Sequence, residues 1–224
     1  PVAPDPDVLA SPCDAVVGEL GPLDGLEALQ AKGFAYTIDE LLGDPDAAAR
    51  YADARYVTLR LKSSMYHRFH APADGRIRGI RYISGDTWNV NPVALKVVER
   101  LYCRNERVVI PIETEYGETI TLVAVAAILV ASVRLHGVDA ALDLRYRGPN
   151  EIPCDLHPRK GEELGYFEQG STIVALVPPA FEAAPGIDTG RVIRAGQPLL
   201  RRSGRTRATG RSSDTPRACQ APKP

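Results

Sequence analysis

Gly170-Ser171-Thr172 stands directly in front of the apolar run Ile173 to Val177. The trio supports two kinds of reading. Glycine grants a special backbone angle and Ser and Thr make local hydrogen bonds, so by themselves the three residues favour a turn that opens a strand. The sharper alternative is that Ser171 is a nucleophile whose target is its own chain. A serine hydroxyl has a high pKa, and in that role it needs a base within hydrogen-bond reach. The chain offers only His67, His70, His136 and His157 as histidines, and two of them share the segment Tyr66-His67-Arg68-Phe69-His70.

Other chemistries find less support. The local text Gln169-Gly170-Ser171-Thr172-Ile173 is not the G-x-S-x-G of a nucleophile elbow. The phosphate-cradling G-x-x-x-x-G-K-[ST] and the dinucleotide G-x-G-x-x-G are absent. As metal ligands His67 and His70 are unconvincing, because H-E-x-x-H is missing and residues three apart on a strand point to opposite faces. No metal site is expected. Cys13, Cys103, Cys154 and Cys219 form no C-x-x-C pair, so neither a zinc site nor a disulfide framework is indicated, and a reducing compartment fits.

The elements that must position such groups are mostly strands. Ala15–Leu20, Gly75–Ile83, Arg107–Thr114, Ile120–Leu135, Ser171–Val177 and Gly190–Ile193 are rich in Val and Ile and bounded by Gly, Pro or Asp. The apolar stretch Ile120 to Val133 is too short to span a bilayer as a helix, which takes about 18 apolar residues. Its β-branched residues predict one or two buried strands. Helical signals are sparse. Thr37 followed by Glu40 and stopped by Gly43 predicts a capped helix, Pro45 opens a second over the alanine-rich segment to Tyr56, and Asn91–Tyr102 predicts a short third. Pro12–Val17 and Pro72–Ile77 echo one another as Pro-x-Asp-[Ala/Gly]-x-[Val/Ile], each reading as a turn that launches a strand. The expected fold is therefore α+β and β-rich, with a duplicated sheet motif and a few short helices.

The 224 residues allow a sizeable core, and 44% hydrophobic with 25% charged residues is ordinary for a globular protein. The net charge of −1 conceals an asymmetry: from Arg201 onward six Arg and one Lys face one Asp. That region is without apolar period and rich in Ser, Thr, Gly and Pro, so residues 201–224 are expected to be a basic disordered tail and residues 1–200 the folded domain. The tail has no interleaved aromatic residues, and nucleic-acid binding is not expected. The first residue is proline, which suggests a preceding segment.

Read in order, seven segments resemble the phosphatidylserine decarboxylase family of pyruvoyl enzymes: Ser11–Gly21, Leu29–Asp44, Ser63–Ile77, Ser84–Pro92, Arg104–Gly117, Lys160–Leu176 and Gly196–Leu199. The resemblance covers roughly residues 8–200 and reverses the weight of the two readings of Ser171. It implies that Ser171 attacks the carbonyl of Gly170 and turns the amide into an ester. β-Elimination and hydrolysis then leave a pyruvoyl group on residue 171, giving chains 1–170 and 171–224. It implies His70 as the base and Asp14 as the residue that orients it, although the Asp14 segment alone reads as an Asx turn. The pyruvoyl cofactor derived from Ser171 would form a Schiff base with the substrate amine and accept the electrons left as carbon dioxide departs. His67 is implied in proton return to the α-carbon or in holding the substrate phosphate. The implied reaction is phosphatidylserine to phosphatidylethanolamine. The implied setting is the cytoplasmic face of a membrane, bound peripherally, with phospholipid as substrate partner and a homo-oligomer as the assembly. Archaetidylserine or a soluble aromatic amino acid as substrate, and a non-enzymatic lipid-binding relative, are the alternatives. Two positions depart from the family pattern: Gln169 where many members have Leu, and Met65 where many bacterial members have an acid.

Overall fold

The computed structural model describes residues 1–31, 34–127, 132–139, 142–168 and 171–203. Alternating and continuous apolar runs produce the strands. In the first half these are β1 (Val8–Ala10), β2 (Ala15–Pro22), β3 (Glu27–Ala31), β4 (Phe34–Thr37), β5 (Arg55–Leu61), β6 (Arg68–His70) and β7 (Ile77–Ile83). The second half adds β8 (Arg107–Glu113), β9 (Thr119–Ala126), β10 (Ser132–Leu135), β11 (Leu142–Asp143), β12 (Glu151–Leu156) and β13 (Glu163–Phe167). Last come β14 (Ser171–Val177), β15 (Phe181–Ala183), β16 (Val192–Ile193) and β17 (Pro198–Arg202). Three short helices accompany them: α1 (Ile38–Leu42), α2 (Pro45–Ala48) and α3 (Leu101–Arg104). The fold is thus β-rich α+β, as the sequence predicts, and the Ile120–Val133 stretch contributes to two strands, β9 and β10.

An eight-stranded antiparallel sheet in the order β12-β7-β8-β9-β14-β5-β2-β16 organises the molecule. Strand β14 lies near its middle and pairs with β5 along its whole length and with β9 from Ser171 to Leu176. Every residue of β14 is buried, because both faces of the sheet are covered. Successive side chains alternate between two cores. Ile173, Ala175 and Val177 enter the first, where Phe69 of β6, Phe167 of β13 and Phe181 of β15 pack from the smaller sheets. Val174 and Leu176 enter the second, covered by Ile38 and Leu41 of α1, Leu101 and Tyr102 of α3, and Tyr36 of β4. The two echoing turns, Pro12–Asp14 and Pro72–Gly75, launch β2 and β7 of this same sheet.

The helices depart from expectation in detail. Helix α1 ends at Gly43 in the left-handed region (φ 62°), but the Thr37 hydroxyl makes no cap hydrogen bond. Asp44 caps α2 instead, accepting from Ala47 N at 3.0 Å. The expected helix over Asn91–Tyr102 is broken into a 3-10 turn, Ala94–Lys96, and α3. Arg100 between them sits at φ 52°, incompatible with a continuous right-handed helix, while Asn91 Oδ1 accepts from Val93 N and Ala94 N. Among the described residues, no helix is long and apolar enough to cross a membrane. Strand β17 runs through Arg202, past the expected domain edge at residue 200, and Arg202 pairs with Glu118 and lies 3.6 Å from Asp7. The remainder of the basic tail, 204–224, lies outside the described residues.

A second, four-stranded sheet, β11-β10-β13-β6, folds over the first core. Gly165 of β13 lets its strand approach closely. A Cβ there would lie 2.0 Å from the Arg134 carbonyl oxygen and 3.0 Å from Phe69 Cζ. Overpacking of this kind against backbone costs about 1–3 kcal/mol. Gly165→Ala should therefore lower the urea midpoint by an amount in that range. An unchanged midpoint would show that β13 shifts freely.

Candidate active site

Ser171 is the first residue of β14, paired with Ala126 of β9 on one side and Leu61 of β5 on the other. Alternation along the strand points its side chain, like Ile173, into the first core. It is fully buried, and its Oγ has no hydrogen-bond partner among the described residues. An unpaired buried hydroxyl costs about 1–3 kcal/mol, so its presence at the centre of the sheet asks for a reason. The expected cleavage partner Gly170, with Gln169, lies outside the described residues.

The two histidines arrive on the second sheet. Strand β6 pairs with β13 through His70 with Glu163 and Arg68 with Tyr166. The His67 carbonyl accepts from Phe167 N at 2.9 Å, so both histidines flank the strand whose chain runs on to Ser171. His67 precedes β6 rather than lying within it, and both imidazoles present a buried Nε2 without a partner among the described residues.

The His70 ring is fixed from its other nitrogen. Nδ1 lies 3.1 Å from the Gly161 carbonyl oxygen. A carbonyl can only accept, so Nδ1 carries the hydrogen and a neutral His70 holds its lone pair on Nε2. Tyr66 stacks on the same ring at 5.9 Å and 22°. Gly161 takes φ 82°, and a Cβ there would lie 2.4 Å from Val2 Cγ2, so only glycine fits this turn.

Asp14 sits in the turn before β2. The turn touches the histidine strand directly, since His70 N donates to the Pro12 carbonyl at 2.7 Å. The Asp14 carboxylate accepts from Ala195 N at 2.9 Å. In this state, then, the hydrogen bonds tie Asp14 to Ala195 and the His70 ring to Gly161.

One further titratable group lies beside Ser171, and sequence reading missed it. Glu106 is fully buried at the start of β8, and its carbonyl accepts from Ala126 N at 2.9 Å. Its carboxyl is hydrogen-bonded to the Tyr82 hydroxyl, which also lies 2.8 Å from the Asp143 carbonyl oxygen. Burial pushes this carboxyl up to about 7; Asp143 adds to the rise and the Tyr82 hydrogen bond opposes it. The sequence signal was a lone acid opening an apolar strand, which reads as a solvated strand end. Among the described residues no group of His, Cys, Asp and Glu could hold a metal.

Known proteins share this chain's sequence over most of its length. The phosphatidylserine decarboxylase family model matches residues 1–201. A phosphatidylserine decarboxylase proenzyme of Anaeromyxobacter sp. (strain K) is 38% identical over 208 residues, covering 89% of this chain and 72% of the relative. The proenzyme of Coxiella burnetii (strain RSA 331 / Henzerling II) is 38% identical over 181 residues, covering 80% and 64%. That of Brevibacillus brevis (strain 47 / JCM 6285 / NBRC 100599) is 36% identical over 203 residues, covering 89% and 72%. The chain thus spans between about two thirds and three quarters of these relatives. The chain is therefore a member of the phosphatidylserine decarboxylase family.

Proposed function

We propose that this chain cuts itself between Gly170 and Ser171, converts Ser171 to a pyruvoyl group, and with it decarboxylates phosphatidylserine to phosphatidylethanolamine. The observation that carries the reading is the pair of buried polar atoms without partners, Ser171 Oγ and His70 Nε2. A nucleophilic hydroxyl and a base both need a position that no structural hydrogen bond occupies.

In the proposed cleavage, His70 Nε2 takes the proton of the Ser171 hydroxyl as Oγ attacks the preceding carbonyl. Gly161 keeps the hydrogen on Nδ1 throughout, so the lone pair stays on Nε2. Asp14, one turn away across the Pro12–His70 hydrogen bond, favours the positive charge that then forms on the ring. The amine of residue 171 leaves with that proton. When present, the pyruvoyl group supplies the electron sink for loss of carbon dioxide. His67, whose Nε2 is also free of partners, returns a proton to the substrate α-carbon. A phospholipid substrate places this site at a membrane surface, with peripheral attachment at the cytoplasmic face as the proposed setting.

Purified protein should split into 1–170 and 171–224 without a protease, and the small piece should resist Edman sequencing because it has no free amine. Ser171→Ala should stay full length; cleavage of that variant at the same bond would sink the mechanism. His70→Ala should slow processing by roughly 10²–10⁴-fold, the usual contribution of a positioned base. Asp14→Asn keeps an acceptor for Ala195 N, so a milder loss on the same denaturing gel reads the charge alone. Normal processing by His70→Ala would remove it from the base role.

His67→Ala separates the two activities. It should form the pyruvoyl fragment yet release carbon dioxide from phosphatidylserine micelles roughly 10²–10⁴-fold more slowly. Equal turnover would assign His67 to structure. Parallel assays with archaetidylserine and with free aromatic amino acids decide the substrate.

A further inference from the structure

Glu106 and Ser171 occupy one row of the eight-stranded sheet. Arg107 pairs with Val125, and the Ala126 N–Glu106 carbonyl bond extends that ladder by one residue, so Glu106 stands opposite Ala126. Ala126 in turn stands opposite Ser171. Residues in register across a sheet point to the same face. Val108, Ile110 and Ile112 of β8 enter the first core, as does Ile173 of β14, so the Glu106 and Ser171 side chains share that face. Two strand spacings, about 10 Å, separate their backbones. Ala126 stands between them in the row. Asn105 anchors the row, with Nδ2 donating to the Ala126 carbonyl at 2.9 Å.

The protons around Glu106 can be counted. The Tyr82 hydroxyl contacts both Glu106 Oε1 and the Asp143 carbonyl, but a phenol carries one hydrogen and a carbonyl none. The hydroxyl therefore shares one hydrogen between the two oxygens. Glu106 Oε2 is buried with no donor among the described residues. When Glu106 ionises, Tyr82 can turn its single hydrogen from Asp143 to Oε1, which leaves Oε2 as the basic oxygen. The ionisable groups that face this pair are few. Asp143 of β11 is held by Arg145 N and its guanidinium, Arg134 of β10 acts on it, and Tyr146 packs edge-on to Tyr82. The further histidines with an unpartnered buried Nε2 are His70 of β6 and His67 just before it.

We infer that Glu106 is the base that takes a proton from the substrate's ammonium group, so that a neutral amine reaches residue 171. The inference rests on the decarboxylase reading above. The substrate headgroup must lose this proton before its nitrogen can attack a carbonyl, and the transfer is balanced: an ammonium and a carboxylate become an amine and a carboxylic acid. The ammonium is also the donor that Oε2 lacks. A carboxyl that ionises near pH 7 is matched to the task, since the best general base titrates near the working pH. Its active form gains population as pH rises, so amine capture rises through about pH 7.

The test uses processed full-chain protein. Fragments on a denaturing gel come first: failure of the wild type to cleave overturns the decarboxylase reading itself, before Glu106 is in question. Amine capture is then measured from pH 6 to 8 by trapping phosphatidylserine in mixed micelles with cyanoborohydride and weighing the small fragment. Gln keeps an oxygen that accepts from Tyr82, so Glu106→Gln should cleave normally. It should capture phosphatidylserine roughly 10²-fold or more slowly at pH 8 and lose the rise with pH. Hydroxylamine, already neutral there, should react alike with both proteins. Equal capture of phosphatidylserine, or an equal loss with hydroxylamine, overturns the inference. Should Glu106→Gln fail to cleave, Tyr82→Phe decides. Loss of the donor should move the pH rise upward, and an unmoved rise overturns the inference.

Discussion

Ser171 is buried at the head of a strand that β5 pairs along its whole length and β9 from Ser171 to Leu176, and its hydroxyl has no partner among the described residues. Backbone pairing fixes where the residue sits, while the missing hydrogen bond leaves its side chain chemically available. A hydroxyl on a loop would be solvated and free to rotate. Here the ladder to β9 and β5 sets its direction, and the apolar residues behind it exclude water. The second sheet inherits its task from this placement. In the proposed mechanism it carries the base, and β6 is paired with β13, whose chain runs on toward Ser171.

Three groups around the serine are poised by what they lack. His70 has its donor side satisfied by Gly161 and its acceptor side empty, so the tautomer follows from geometry rather than from a carboxylate partner. Asp14 is fastened to Ala195, and its turn touches the histidine strand through Pro12. Glu106 shares the single Tyr82 hydrogen with the Asp143 carbonyl. Each orphaned atom costs stability in a sheet that is otherwise well paired, and the surrounding register supplies enough contact to sustain the cost.

Much of this was legible in the chain. Period-two and continuous apolar runs gave strands where both faces are buried, and Gly43 and Pro45 marked helix ends through backbone geometry that other residues resist. Local signals failed where distant contacts decide. Nothing near Arg100 in sequence announces its left-handed conformation, and the Thr37 hydroxyl leaves its cap position unfilled. Strand alternation set His67 and His70 on opposite faces, but β6 begins only at Arg68, so the rule did not apply. Glu106 was passed over because its burial depends on Tyr82 and Asp143, far away along the chain. The partner of Asp14 lies 181 residues further on, a pairing that no local pattern encodes.

In the proposed cleavage before β14, the two pieces must stay together. The described part of the small piece beyond residue 170 supplies β14, β15, β16 and β17. Strand β14 is paired on both edges with strands of the large piece, β5 and β9. Strand β16 lies on β2, and β17 pairs with β1. The small piece is thus woven into two sheets, and its hydrogen bonds to the large piece do not depend on the peptide bond before Ser171. Its apolar residues Ile173, Phe181 and Leu200 share one core with Leu59 and Phe69 of the large piece. Cleavage removes one covalent constraint and leaves the ladders and the core in place. A fully buried strand can therefore begin at the bond proposed to break, because the sheet holds residue 171 through its neighbours on β5 and β9.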